Sequence, residues 1–464
     1  MDMPRAHRVA GALIGSAVGD ALGAPFEFGP PGRFSARFPT EARGVATEMC
    51  GGGLPPGERR EPGEFTDDTQ QALLLATSLL ECGRLDEADV FARFRTWAQA
   101  DPPDIGRQTR AVLGSGRPWD VAAAEHHARS GHAAGNGSLM RATPAAIWSA
   151  RAGRVATMDV ARRVSALTHG DPSAGEGCAV FAELVRVALD GGDPLAAVPA
   201  TLAHVAPEHR DRWAAVLAAD WTPDRATEGN GAVWPTLGQA VWALRRGRTF
   251  AEVLRLVVDL GGDTDTVACV AGGLAGAVHG IAGIPMRWTS AVHGRVPGYA
   301  DRLWQLADLH HLAAALDGST APPYEAPETR RLQPREVADG VWAADLDGAR
   351  HSSTDFAVVS LCRTGSRFPH EVQRFAYLTD DDANSELDAV LADVLADMAA
   401  LRADGRPVLV HCFAGQSRTG LVLRAWLRRT RGMSAAEATA HVRERWPHLS
   451  EWNTAFTAAL ERVR

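Results

Sequence analysis

Over residues 1–316 apolar side chains return at every third or fourth position, and period-two alternation is nearly absent. Thr69–Glu81, Ala88–Gln99, Gly177–Leu189, Leu237–Arg246, Phe250–Leu260 and Tyr299–Leu316 all carry this spacing, with Gly, Pro and Asp between them. That period lines one stripe of a helix and cannot line one face of a sheet. The region is therefore predicted to be all-helical, a large unit with no internal linker. Asp317–Pro334, DGSTAPPYEAPETRRLQP, has no apolar period and reads as a linker. Beyond it the texture changes. Phe356–Cys362 and Pro407–Cys412 are short β-rich runs, and Leu387–Ala403 between them reads as a helix. Ser434 and Ser450 read as N-caps of two final helices. Strand–helix–strand order over 335–464 implies a small α/β domain with a mostly parallel sheet. The chain is thus expected to be multidomain: an all-α unit at 1–316, a linker at 317–334 and the α/β unit at 335–464.

Composition narrows the function. The 464 residues are 45% apolar and 22% charged, with a net charge of −8, so neither general nucleic-acid affinity nor a membrane partner is expected. Every basic residue is Arg; with no Lys, any mechanism through a catalytic lysine is excluded. Cys50, Cys82, Cys178, Cys269, Cys362 and Cys412 are scattered, which fits a reducing, cytoplasmic location and no structural zinc. The apolar N-terminus contains Asp20 and several glycines and reads as a buried helix rather than a signal peptide. Val267–Ile284, the most membrane-like stretch, reads as a close-packed core helix. Gly51–Glu64, GGGLPPGERREPGE, reads as a mobile surface loop.

Two acidic clusters stand at predicted helix starts, Phe65–Thr69 (FTDDT) and Gly261–Thr266 (GGDTDT). Asp and Thr are favoured there as N-caps on local grounds alone. Their oxygens are also hard ligands suited to Mg²⁺ or Mn²⁺, and two matched clusters on different helices could hold two ions.

With these clusters the sequence resembles the ADP-ribosylglycohydrolase family over roughly residues 6–316. Six motifs carry the resemblance in order: Gly15–Glu27 (GSAVGDALGAPFE), FTDDT, Pro103–Gly106 (PDIG), Gly135–Arg141 (GNGSLMR), Thr168–Pro172 (THGDP) and GGDTDT. The resemblance implies two Mg²⁺ ions, or Mn²⁺, on Thr66, Asp67, Asp68, Asp263, Asp265 and Thr266. It implies Glu27 as a mobile glutamate near the scissile ribose. Asn136, Gly137 and Ser138 would bond the ribose and phosphates, PDIG would form a substrate loop, and His169 would contact the nucleoside end. Carboxylates would stabilise oxocarbenium-like charge at the anomeric carbon, and Asp68 or Asp265 would orient or deprotonate the attacking water. The choice between the two stays open.

Val408–Gly420 reads VLVHCFAGQSRTG: a β-rich run, His-Cys, a five-residue loop, Arg418 and a helix. The loop amides and helix N-terminus can cradle an oxyanion and favour Cys412 as a thiolate nucleophile. Arg418 can bind two phosphate oxygens at once. Residues 335–464 resemble the cysteine-dependent dual-specificity and tyrosine phosphatases. The resemblance implies Cys412 as nucleophile, Arg418 as phosphate binder, Thr419 in the place of the hydroxyl that assists the leaving thiolate, Ser417 beside it as a substrate-binding residue, and an upstream Asp as general acid. Asp381 has the best spacing; Asp380 and Asp382 stay open.

The expected protein is a bifunctional hydrolase. One domain would cleave an ADP-ribosyl bond of a protein or an ADP-ribose derivative, and the other would remove phosphate from a phosphorylated substrate. The alternative makes one domain a reader that targets the other. The patternless linker further suggests that each half folds alone.

Overall fold

The computed structural model describes residues 3–39, 48–52, 60–131, 134–319, 331–364, 367–381, 384 and 386–463. Residues 53–59 of the glycine-rich loop, 320–330 of the linker, and Asp382 lie outside the described residues.

The first half is helical, followed by a small α/β half with its own core. Helix α1 (Arg5–Gly23) is long and apolar enough, with the short turn that follows it, to cross a bilayer by length and composition. Here it is the buried axis of the helical core, as its run of small residues suggests. It lies antiparallel to α3 (Thr264–His279), with α2 (Asp67–Cys82) close to their shared end. The α1–α3 contact is backbone on backbone. A Cβ added at Gly15 would sit 2.4 Å from the Gly272 oxygen, and one at Gly19 would sit 1.9 Å from that of Ala268. Only glycine permits such an approach.

Helices Glu87–Gln99, Pro172–Leu189, Val233–Arg246 and Phe250–Val258 match the predicted stretches. The stretch Tyr299–Leu316 does not form one helix. The helix begins at Leu306, where Gln305 and Asp308 exchange side-chain and backbone hydrogen bonds in a capping box. The residues before it pair as a two-residue ribbon, His293–Gly294 with Trp304–Gln305.

The second half is a five-stranded sheet: β1 (Arg335–Ala338), β2 (Val341–Ala344), β3 (Ala357–Ser360), β4 (Gln373–Phe375) and β5 (Val408–His411). Their spatial order is β1-β2-β5-β3-β4, parallel except for β1 against β2. Helices α4 (Leu387–Ala403) and α5 (Ser417–Arg431) contribute apolar faces to its core. Ser434 caps the next helix in a capping box with Glu437. The last helix is capped by Asn453, whose Oδ1 accepts from Phe456 N at 3.1 Å, and not by Ser450. Asn is as good a cap as Ser, so side-chain identity alone did not choose between them.

The halves pack against each other. Ala282 and Met286 of the helical half belong to the core of the α/β half, while Phe375 and Tyr377 pack on the helical core. Arg287 pairs with Asp393 of α4 and, at 2.7 Å, with Glu48. A cleft of about 500 Å³ runs between the halves, lined by Arg255, Arg287, Asp393 and Arg429 among others.

Candidate active sites

The two acidic clusters meet at the end of the α1–α3 pair. Thr66 caps α2, its hydroxyl accepting from Asp68 N at 3.4 Å, so Asp67 and Asp68 occupy the first turn of the helix rather than the loop before it. Asp263 stands at the N-cap position of α3 without a side-chain capping bond, with Asp265 and Thr266 in the first turn. The Thr266 hydroxyl reaches Asp68 Oδ1 at 3.4 Å, which joins the clusters across 198 positions of sequence. N-capping and a ligand set are therefore compatible here, because Thr66 caps through the same loop that presents the carboxylates.

Three carboxylates, from Glu27, Asp104 and Asp265, bring oxygens within 4.8 Å of one another. Burial, then neighbouring carboxylates, pushes Asp67, Asp68 and Asp265 well above the usual carboxylate range. Burial followed by Asp104 and Asp263 pushes Glu27 up to about 8. Asp68 Oδ2 is buried without a hydrogen-bond partner. Hard oxygen donors, crowded like charges and an orphaned carboxylate oxygen fit a divalent cation of the Mg²⁺ or Mn²⁺ type.

Several residues that support this site carry no assignment from sequence. Asp104 belongs to PDIG but had no assigned role there. Asp20, buried in α1, accepts from Thr66 N, Thr69 N and, at 2.5 Å, the Thr69 hydroxyl, and so locks the first turn of α2. Arg60, at the edge of the stretch read as a surface loop, is buried and pairs with Asp104. Asn230 accepts from Asp263 N and donates to Gly261 O, both at 2.9 Å, and thereby shapes the second acidic loop. Glu27 is followed by a pinned backbone: Phe28 N donates to Gly262 O, and Gly262 N to Gly29 O.

The glycine-rich stretch lies against His169. A Cβ at Gly137 would stand 3.1 Å from His169 Cε1. The His169 ring is buried, bonds through Nδ1 to the Thr168 hydroxyl at 2.8 Å, and is kept neutral by burial and then by Arg141. Asn136 Nδ2 donates to Asp263 Oδ2 at 2.8 Å, linking this stretch to the acidic site. Ser138 is different from the expectation: its hydroxyl is buried against that of Ser165 at 2.8 Å, so its side chain supports the loop from behind.

In the α/β half, β5 delivers Cys412 to a loop that closes at the N-terminus of α5. Gly415, at φ +67°, turns that loop; a Cβ there would meet the Ala344 oxygen at 2.6 Å. Cys412 is 2% exposed. His411 beneath it is buried and pushed down to about 4 by burial, and its Nε2 is 2.7 Å from the Ser360 hydroxyl. Arg418 Nη1 bonds the carbonyls of Leu361 and Leu378, while its Nε is buried without a partner. The hydroxyls of Ser417 and Thr419 are likewise buried and unpartnered. Buried polar groups are nearly always satisfied, so three orphans around one loop mark a cradle for an anion.

The acid segment follows Leu378. Asp381 is exposed; its Oδ1 accepts from the Thr379 hydroxyl at 2.6 Å, and its carbonyl from Asn384 and Asn453. Asp380 has a buried, unpartnered Oδ1.

Residues 1–320 match the family model for ADP-ribosylglycohydrolase, and 352–463 the model for the dual specificity phosphatase catalytic domain. The chain belongs to the ADP-ribosylglycohydrolase family and carries a dual-specificity phosphatase domain behind it. It is similar to an ADP-ribosyl-[dinitrogen reductase] glycohydrolase of Rhodospirillum rubrum, 32% identical over 64% of this chain and 94% of that protein. It is also similar to ADP-ribosylarginine hydrolase Tri1 of Pseudomonas putida (strain GB-1), 31% identical over 61% of this chain and 74% of that protein. Among solved structures, a chain of an ADP-ribosylglycohydrolase-related protein complex superposes with a TM-score of 0.52 at 36% identity, over 68% of this chain and 99% of that one.

Proposed function

We propose that the protein is a bifunctional hydrolase in which a divalent-cation site cleaves an ADP-ribosyl bond and Cys412 hydrolyses a phosphomonoester. The meeting of Thr266 with Asp68, beside the carboxylates of Glu27, Asp104 and Asp265, carries the first activity. Thr66, Asp67, Asp68, Asp263, Asp265 and Thr266 would hold Mg²⁺ or Mn²⁺, which supplies positive charge to orient ribose hydroxyls and acidify water. Around it the protein's own groups do the rest. The bond from the anomeric carbon to the leaving nitrogen or oxygen breaks with its electron pair going to the leaving group. The carboxylates face the positive charge left on the ribose, Asp68 or Asp265 takes the proton of the water that adds there, and that proton passes on, through solvent, to the departed leaving group. Two of the relatives are named for hydrolysis of ADP-ribosyl linkages, one of them on arginine. An ADP-ribosylarginine peptide is therefore the first substrate to test, with ADP-ribosylserine beside it. ADP-ribose release that needs Mg²⁺ and is lost in Asp265→Ala supports the reading; release at full rate in excess chelator refutes it.

The second activity is supported by the orphaned Arg418 Nε and the Ser417 and Thr419 hydroxyls. The Cys412 thiolate forms an S–P bond as the P–O bond breaks, and the leaving oxygen takes the electron pair and a proton from the acid segment at 380–382. Water then attacks phosphorus, returns a proton to that carboxylate, and frees phosphate and thiolate. Loss of phosphate release in Cys412→Ser, with ADP-ribose release retained, is the expected outcome; retained phosphate release refutes it. The units we propose are 1–316 and 335–464, acting in the cytoplasm.

A further inference from the structure

Residues 375–381, which include the general-acid candidates Asp380 and Asp381, are held from outside by the other half of the chain, as is Glu386 beyond them. Phe375 ends β4, the edge strand. Its N–H faces away from the sheet and donates to the Ser290 hydroxyl at 2.9 Å, while the Thr289 hydroxyl reaches its carbonyl at 3.4 Å. Two residues on, Tyr377 stacks on His310, with ring centroids 5.6 Å apart and planes 17° from parallel. At the far end His279, in the last turn of α3, pairs with Glu386, which sits at φ +55° just before α4. Between these points Arg418 Nη1 ties the backbone to the phosphate loop through Leu378 O, at 3.0 Å.

We propose that Ser290, His310 and His279 are positioning residues for the phosphatase reaction: the helical half sets where the acid segment stands over Cys412. The proposal rests on the reading that this segment supplies the leaving-group proton. Proton delivery tolerates little displacement, because the donor must lie within hydrogen-bond reach of the ester oxygen. Thr379, Asp381 and Asn384 bond one another, which ties Asp381 to the backbone that follows Tyr377 and Leu378. Ser290, Thr289, His310 and His279 of the helical half hold the segment from one side, and Arg418 and Asn453 of the α/β half from the other. His310 acts as a neutral ring, since burial drives its imidazole down to about 3 and the neighbouring Arg363 opposes its protonation further. A phenyl ring in its place should therefore stack on Tyr377 equally well.

The test uses the full chain. In Ser290→Ala/His310→Ala, backbone amides of 375–381 should exchange hydrogen at least ~10-fold faster. Hydrolysis of phenyl phosphate, whose phenolate needs a proton on leaving, should fall about 10-fold or more, a fraction of what a general acid contributes. Hydrolysis of 4-nitrophenyl phosphate, whose leaving group departs unprotonated, should change less than about two-fold. His310→Phe should keep the phenyl phosphate rate, and ADP-ribose release by the helical half should be unaltered in every variant. Unchanged exchange at 375–381, or equal losses on both esters, would overturn the proposal. If Asp380→Asn, Asp381→Asn and Asp382→Asn all retain full phenyl phosphate turnover, the acid reading itself fails, and the positioning proposal falls with it. A phenyl-selective loss in one of these Asn variants without one in Ser290→Ala/His310→Ala removes the positioning proposal and leaves the acid reading intact.

Discussion

Arg418 donates from Nη1 to the carbonyl oxygen of Leu378 at 3.0 Å, three residues before Asp381. One guanidinium thus keeps a buried, unpartnered Nε beside the Cys412 loop and holds Leu378 with Nη1. On the proposed reading, phosphate binding and proton delivery would share this one side chain.

Arg418→Lys should lose both functions, since an ammonium offers no planar fork to span two sites. Phosphate release should drop on the order of 100-fold or more, and phenyl phosphate should suffer more than 4-nitrophenyl phosphate. Steady-state kinetics on the two esters checks this; an equal loss on both would show that the Leu378 bond contributes nothing to proton delivery.

Removing the cation should silence one half only. With chelator, or in Asp67→Ala, ADP-ribose release should vanish while Cys412-dependent phosphate release stays within about two-fold, because the acidic site belongs to the helical half. Both products can be read by mass from a single incubation.

Asp20 is a carboxylate that works by accepting. Asp20→Asn turns one of its acceptor oxygens into a donor facing Thr66 N, Thr69 N and the Thr69 hydroxyl. The cost should be about 1–3 kcal/mol for donors left unpaired. Cation affinity should fall as well, because the turn that presents Asp67 and Asp68 loosens. Thermal melts with and without Mg²⁺ separate the effects: the variant should melt lower and gain less from the ion.

Glu48 should make the fold acid-sensitive. Burial alone would raise its carboxyl, but hydrogen bonds from Arg287 and Trp288 and the Arg287 charge outweigh that and hold it at about 2, against 4.5 unfolded. A lowered carboxyl stabilises the fold in full above the unfolded value, and the contribution drains away as pH falls from about 4.5 through about 2. The shift corresponds to roughly 3 kcal/mol. Glu48→Gln should therefore be less stable near neutrality, and its denaturant midpoint should fall less steeply between those pH values than that of the parent chain. Parallel slopes would show that Glu48 contributes no such linkage.

Local signals were legible wherever the chemistry is local. Helix α4 runs over Leu387–Ala403 as its periodicity predicts, and the spacing from Cys412 to Arg418 is imposed by one turn of loop closing on one helix. The acidic clusters were readable because caps and ligands share residue types. What stayed hidden depends on distant partners. Arg60 reads as surface by its Gly- and Pro-rich neighbours, yet it is buried and paired with Asp104, 44 positions away. Ser138 looks like a ligand group in a glycine-rich stretch until Ser165 takes its hydroxyl. The contact between the halves left no periodic trace, since Ser290 meets Phe375 through a single hydrogen bond and His310 meets Tyr377 ring on ring, rather than through a stripe.

The covered edge strand has a consequence for how the molecule comes into being. Helical contacts are formed early in the chain, so the surface bearing Ser290 can emerge from the ribosome and fold before β4 is synthesised. The open N–H of Phe375 then meets a waiting acceptor instead of another nascent chain's strand. Gene order serves as a chaperone: a permuted protein made with residues 335–464 first would display that edge for the whole time needed to translate its cover, and its yield of soluble product should suffer even though the finished sequence has every contact of the original.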